Sequence, residues 1–160
     1  MFFTDTDFSE GDASTHIALK LKSGGAGKLF VQCYASSGAS LGVHLKHVYS
    51  TAYEGFFSTA TIAASVVGLY GYCADDIASG CVGWAQIRGP VDNAQCAAAV
   101  MSGSIGHTVR LAASGLWATA TATGQSTFNG DASQVAVLRE EVDTSTTANI
   151  YLVGNMYAEV

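Results

Sequence analysis

Short segments in which apolar and polar residues alternate occupy much of the chain, and turn-forming residues separate them. A repeat of two residues is the pattern of a strand that buries one face. The strands predicted from this pattern cover residues 17–21, 28–35, 41–49, 66–73, 81–88, 107–112, 116–123, 134–142 and 148–153. No segment carries a sustained helical repeat, so the sequence predicts an all-β fold, a small β-sandwich or barrel with short hairpins and little helix.

The most informative stretch is 66–90, which is rich in β-branched and aromatic residues. It predicts two strands, 66–73 and 81–88, joined by a short polar turn and followed by a Gly-Pro stop. The Ala-rich segment 93–101 then permits one or two helical turns. The stretch offers surfaces for packing and few reactive groups, which favours a structural role.

Composition narrows the classes of function. The chain has 160 residues, of which 49% are apolar, and this is enough for the core of one domain. The net charge of −6 argues against nucleic-acid binding, and no polybasic segment indicates a membrane partner. Only 12% of residues are charged, against roughly a quarter in ordinary soluble proteins. We therefore expect much of the surface to be covered in the working state.

The first residues differ in character from the rest. Residues 1–15 are predicted to form an acidic arm that carries Phe2, Phe3 and Phe8, and residues 16–160 a single β-rich domain. The chain has no signal-peptide pattern and no apolar run of about 18 residues, so we expect it to fold in the cytoplasm. Exposed aromatic side chains favour a docking element, whose deletion would weaken binding without unfolding the domain. The alternative is a disordered tail.

Cysteines and histidines are the first candidates for chemistry. The four cysteines are expected to be reduced and buried, although two of them, Cys73 and Cys81, flank the predicted turn and could face each other. His44 and His47 would share a face only on a helix. On the predicted strand they point to opposite faces, which argues against a zinc site.

Acidic and glycine-rich segments are the remaining candidates. Asp75 and Asp76 are interpreted as turn formers rather than calcium ligands, and so is the segment 129–131. The segment Gly-Gly-Ala-Gly at 24–27 precedes a lysine but lacks the spacing of a phosphate-binding loop. The sequence therefore predicts no metal and no cofactor. Because no nucleophile, base and orienting group converge in it, we do not expect an enzyme.

Large and charged side chains are the best candidates for an interface. Trp84 is either a core filler or an interface anchor, whereas Trp117 is predicted to lie in the core. Arg88 and Arg110 are rare cations in an acidic chain and are candidates for ion pairs at a contact. The candidate interface residues are Phe2, Phe3, Phe8, Trp84, Arg88 and Arg110.

One segment resembles a known family. The sequence Ala-Ser-Gly-Cys-Val-Gly-Trp-Ala-Gln-Ile-Arg-Gly-Pro-Val at 78–91 is similar to a motif of capsid decoration (cement) proteins of tailed bacteriophages. In that motif a Gly-Trp-Val-Gln-Ile-x-Gly strand follows an Ile-Ala-Ser-Gly turn. An Ala-rich segment, a Thr/Ala/Gly run and a closing pair of strands follow, so that the resemblance covers residues 62–154. Cys81 and Ala85 depart from it, since larger residues are commoner there.

The resemblance implies a β-rich virion protein that binds the outside of an assembled icosahedral head. Its partner would be the major capsid protein, whose neighbouring subunits it would bridge, and self-association, with a trimer favoured, would be expected. The family offers no catalytic residues to carry over. Two alternatives stay open: a tail, neck or fibre component of the virion, and a carbohydrate-binding β-sandwich.

Overall fold

A computed structural model of the chain describes residues 21–35, 38–50, 53–58, 70–97, 101–119 and 134–153. The arm with Phe2, Phe3 and Phe8 lies outside the described residues. So do segment 129–131 and parts of several predicted strands. The fold below concerns the described residues alone.

The described residues form twelve strands. They are β1 (Leu21–Ser23), β2 (Leu29–Ala35), β3 (His44–Ser50), β4 (Tyr53–Ser58), β5 (Tyr70–Cys73), β6 (Cys81–Gln95), β7 (Ser102–Gly103), β8 (Thr108–Leu111), β9 (Trp117–Thr119), β10 (Gln134–Leu138), β11 (Val142–Asp143) and β12 (Thr147–Leu152). Short 3₁₀ turns occupy Gly25–Gly27 and Ala113–Gly115. The predicted all-β class is confirmed. Strand β11 pairs with β7 in a separate two-stranded sheet, so the predicted strand 134–142 is interrupted.

The first half of the molecule is a closed ring of five strands. Strand β2 pairs with β6, β6 with β5, β5 with β3, β3 with β4, and β4 returns to β2 through the parallel pair of Ala35 and Phe57. One apolar cluster belongs to this ring: Val31, Cys33, Ala35, Val43, Leu45, Cys73, Ile77 and Ala85. Alternation along β2 and β6 explains this, since every second residue points inward.

The second half uses the other end of β6. There β6 pairs with β12, β12 with β10, β10 with β8, and β8 with β9. A parallel bridge between Cys96 and Trp117 brings β9 back to the end of β6. The second core cluster contains Tyr72, Val91, Ala94, Cys96, Met101, Val109, Leu111, Trp117, Val135, Ala136, Leu138, Val142, Ala148, Ile150 and Leu152.

Strand β6 is 15 residues long and crosses from one ring to the other near Gly89. The predicted stop at Gly89 and Pro90 is therefore wrong. The predicted helical turn of segment 93–101 is also wrong at its first residues, which belong to β6. Gly89 has φ +95°, and an added Cβ would lie 3.0 Å from the Gly27 oxygen and from the Lys28 Cα. The side-chain amide nitrogen of Gln86 donates hydrogen bonds to the backbone carbonyl oxygens of Arg88 (3.1 Å) and Pro90 (2.9 Å). These bonds support the kink, and the strand continues through it.

Further hydrogen bonds join the segment around Gly42 and His44 to the second half. The Trp117 indole donates to the Gly42 oxygen (3.0 Å), and the Gln95 amide donates to the same oxygen (2.9 Å). His44 Nε2 lies 2.8 Å from the Ala112 oxygen. Trp117 is fully buried, as the sequence predicts.

The cysteines are free thiols, and only Cys81 is partly exposed. Cys73 pairs with Ala85 on β6, whereas Cys81 pairs with Ala35 on β2. The idea that Cys73 and Cys81 face each other across the hairpin is therefore wrong. The segment between β5 and β6 runs to Gly80. The residue opposite Cys73 is Ala85, and Cys81 comes four residues before it on β6.

Candidate interaction surface

Trp84 lies on the outer face of the first ring, where β1, β2 and β6 run side by side. The strand register places Trp84 opposite Gln32, and Phe30 opposite both Lys22 and Gln86. The Lys22 ammonium lies 4.0 Å from the centre of the Trp84 ring and 5.5 Å from that of Phe30. A cation this close to an aromatic face is attracted by about 0.5–1 kcal/mol at an exposed site.

The β1–β2 hairpin determines where Lys22 lies. The Gly24 amide donates to the Lys28 oxygen (2.8 Å), and the Lys28 amide donates to the Gly25 oxygen (3.2 Å). Gly27 takes φ +74° in this turn, a conformation that glycine adopts readily. The turn fixes the register of Ser23 with Leu29, so the residue before Ser23 faces the aromatic side chains of β2 and β6.

Two further cations border these aromatic side chains. Arg88 is exposed in the next row of paired residues, opposite Leu29, and Lys28 lies beside Gly89. We call the set Lys22, Lys28, Phe30, Trp84 and Arg88 the cationic–aromatic face. None of these cations forms an ion pair with a described residue. The one ion pair in the described part of the chain joins Arg139 and Asp92 (2.9 Å), which lie outside the face. No described carboxylate therefore neutralises this face, which carries a local positive potential in an acidic chain.

A buried polar group lies beside Trp84. Gln32 is only 6% exposed, and neither its amide oxygen nor its amide nitrogen has a hydrogen-bond partner. An amide buried in this way costs about 1–3 kcal/mol. Gln86, one row away on the same face, bonds two carbonyl oxygens as described above. Both side-chain amides are buried, but only that of Gln86 has hydrogen-bond partners.

The structure brings together only some of the residues predicted for the interface. Trp84 is partly buried and Arg88 is exposed, and both contribute to the face. Arg110 does not, since it lies on β8 in the second ring, where its Nε is 3.4 Å from the Thr119 oxygen. The three phenylalanines of the arm lie outside the described residues. Arg110 therefore lies outside this face, and its role at a contact stays a prediction.

Sequence reasoning missed Lys22, Lys28 and Phe30. The pairing of β2 with β6 brings Phe30 near Trp84, and the pairing of β1 with β2 brings Lys22 there. The predicted strand 17–21 ended one residue before Lys22. The signal was the glycine-rich turn between two predicted strands, which indicates a hairpin. A five-residue loop from Gly24 to Lys28 would have placed Lys22 opposite Phe30.

A second exposed apolar area lies on the outer side of β12. Tyr151 is 37% exposed and Val153 is 41% exposed. The register places Tyr151 between Pro90 on β6 and Val137 on β10. Among the described residues, this area belongs to the second ring, whereas the cationic–aromatic face is built on the first.

The buried titratable groups are held in their neutral forms. Burial lowers the pKa of His44 to about 4, although its hydrogen bond to Ala112 acts in the opposite direction. Burial likewise raises the pKa of the thiols to about 12 for Cys33, 11 for Cys73 and 12 for Cys96. These thiols are not nucleophiles near neutral pH, because the thiolate is the reactive form.

The predicted roles of the other polar residues can be compared with their positions. His44 lies on a strand, as predicted, and it is buried there and hydrogen-bonded; the side chain of His47 is not among those that the structure describes. Asp76 accepts a hydrogen bond from the backbone amide of Leu41 (2.8 Å), which is 35 residues away, so this bond links two segments and its role as a turn former stays a prediction. Within the described ranges, no three His, Cys, Asp or Glu side chains are grouped so that they could hold a metal ion. None of the described helical segments has the length and apolar character needed to cross a membrane.

Comparison with known proteins finds similarity to solved structures but not to known sequences. No family model and no curated protein sequence matches the chain. Among solved structures, the chain is similar to the head fiber gp8.5 N base of bacteriophage phi29, with 11% identity and a TM-score of 0.48. The similarity covers 81% of this chain and 99% of that one. A likeness of this degree assigns neither a family nor a function to the chain.

Proposed function

We propose that the chain is a structural protein of a tailed bacteriophage that binds the outside of the head. It stabilises the head by bridging neighbouring major capsid protein subunits, and its own copies associate, with a trimer favoured. The observation that carries the proposal is the cationic–aromatic face. It is built on β6, and the segment that resembles the decoration-protein motif contains Trp84 and Arg88.

The composition of this face suits a protein contact. Tryptophan and arginine are enriched among the residues that dominate binding energy, especially where neighbouring groups exclude water. Trp84 is held in place on both sides, by Lys22 above the ring and by the pairing of β6 with β2. A preordered side chain loses little conformational freedom on binding. The unpaired cations favour a partner surface that carries carboxylates.

Bridging requires a second contact surface. The area around Tyr151 and Val153 meets this requirement, because it belongs to the other ring. Strand β6 connects the two rings without a flexible linker, so a load on one surface passes to the other through a continuous strand. The action is mechanical, and the proposal includes no catalytic step, metal or cofactor.

The direct test uses particles of the phage that encodes the chain. Purified virions should contain the protein on the head exterior, which mass spectrometry and cryo-electron microscopy detect. Particles made without it should release DNA at a lower temperature, as followed with a DNA-binding dye, and the purified protein should restore the wild-type temperature. Absence of the protein from the particle would contradict the proposal, and a position on the tail or neck would favour the alternative virion role.

Variants test the face itself. Trp84→Ala should weaken binding to protein-free particles by at least tenfold, since a central tryptophan contributes about 2 kcal/mol or more. Arg88→Ala should weaken it less and should reduce its dependence on salt. Ile105→Ala is the control, because the exposed Ile105 lies in a turn outside both proposed contact areas. Equal binding by all three variants would exclude the face as the contact, provided that circular dichroism shows each variant folded.

A further inference from the structure

The cationic–aromatic face has a chemically matched segment in the same chain. Residues 1–12 contain four acidic residues, no lysine or arginine, and three phenylalanines. The face offers Lys22 beside the Trp84 and Phe30 rings and two further cations, Lys28 and Arg88, on the neighbouring residues of the same strands, and no described carboxylate pairs with these cations. The two therefore complement each other both in charge and in aromatic character.

The connection between segment and face is short. The described chain begins at Leu21, which is next to Lys22, so the segment is joined to the border of the face itself. Residues 13–20 provide up to about 26 Å of chain, at 3.3 Å per residue. Such a tether gives an effective concentration on the order of millimolar, which a segment from another molecule reaches only at high protein concentration.

We propose that residues 1–12 bind in cis to the cationic–aromatic face of the free chain, with carboxylates at Lys22, Lys28 and Arg88 and phenylalanine rings beside Trp84. A capsid contact on this face would then have to displace the segment, so the chain would keep the face covered until it meets its partner. The inference concerns the free chain in solution, and it stands or falls independently of the proposed virion function.

Tryptophan fluorescence provides a selective measurement. The chain has two tryptophans, and Trp117 is fully buried, so a neutral quencher such as acrylamide reports on Trp84. Deletion of residues 1–12 should raise the quenching constant of Trp84 at least twofold. The deletion ends nine residues before β1, and an unchanged unfolding temperature checks that the domain remains folded.

A peptide and two variants complete the experiment. A synthetic peptide of residues 1–12, added to the deleted chain, should restore protection with half-saturation below about 1 mM. A peptide with the four acidic residues replaced by Asn or Gln should not, and 1 M salt should abolish the effect. In the full chain, Lys22→Gln should increase quenching, whereas Arg139→Gln should not.

Two outcomes would overturn the inference. The first is equal quenching of the full and deleted chains together with no effect of the peptide. The second is protection that disappears on dilution, with light scattering showing a dimer at high concentration, since the segment would then bind a second copy instead of its own chain.

Discussion

Protonation of His44 should destabilise the fold strongly. His44 is completely buried, its Nε2 lies 2.8 Å from the Ala112 oxygen, and its ring packs edge-on against Trp117. Because Nε2 faces a carbonyl oxygen, the proton of the neutral ring lies on Nε2. The other nitrogen, Nδ1, has no hydrogen-bond partner. A second proton would place an unpartnered charge in the junction between the two rings.

The magnitude follows from the shift in pKa. The folded-state pKa is about 4 and the ordinary value is 6.5, so between these values the unfolded chain binds a proton that the folded chain excludes. Stability is therefore full above about pH 6.5 and falls as the pH decreases toward 4. The loss amounts to about 2 kcal/mol at pH 5 and about 3 kcal/mol at pH 4, at 1.36 kcal/mol per unit of pKa. Below pH 4 this contribution changes little further.

The assay is urea denaturation between pH 4 and pH 7.5, followed by tryptophan fluorescence. His44→Gln keeps an amide N–H for the Ala112 oxygen and removes the titration. As the pH falls from 7.5 to 4, the wild type should therefore lose about 3 kcal/mol of unfolding free energy relative to this variant. His107→Gln removes a histidine elsewhere and should leave that slope in place. A constant difference between wild type and His44→Gln over the whole range would refute the reasoning.

Three other predictions concern stability and reactivity. Gln32→Leu should raise the free energy of unfolding by about 1–2 kcal/mol, because it removes a buried amide without partners. Gln86→Leu should lower it by about 1–3 kcal/mol, because it leaves two carbonyl oxygens unbonded. Urea titration measures both changes, and a loss of stability in both variants would show that the Gln32 amide has a partner. Gly89→Ala should lower the free energy of unfolding by about 2 kcal/mol or more, because φ is positive and the added Cβ would contact backbone atoms. Gly25→Ala is the control, since an added Cβ there meets open space, and it should change the free energy of unfolding by less than about 1 kcal/mol. Equal shifts of the unfolding temperature in the two variants would contradict this. A thiol reagent should label the native protein first at Cys81, the partly exposed thiol, as peptide mapping would reveal, and earlier labelling of a buried thiol would contradict the described burial.

Much of the fold follows from local pattern. The alternation along Leu29–Ala35 and along the last strand predicted their positions well, because one buried face per strand imposes a repeat of two. Trp117 was likewise predicted in the core. Local pattern did not predict that the pairings close into rings, since closure depends on contacts between residues far apart in the chain, such as Ala35 with Phe57.

The errors arose where tertiary contacts override local preference. Gly89 and Pro90 read as a stop, yet the Gln86 side chain bonds the carbonyl oxygens on either side of the kink, and the strand continues. Ala94, the first of the alanines that permit a helix after Asn93, instead lies on β6 and packs in the second core. The candidate site was predicted at Trp84 and Arg88 but not at Lys22, because that lysine reaches the ring only through hairpin register.

The shared strand β6 makes the molecule indivisible. A protease cut within it would open both hydrophobic interiors at once, so neither half is expected to survive alone as a transplantable module. Tags or displayed peptides should therefore enter elsewhere. The turn around Ile105, whose side chain is 70% exposed, offers a place where foreign sequence leaves both interiors closed.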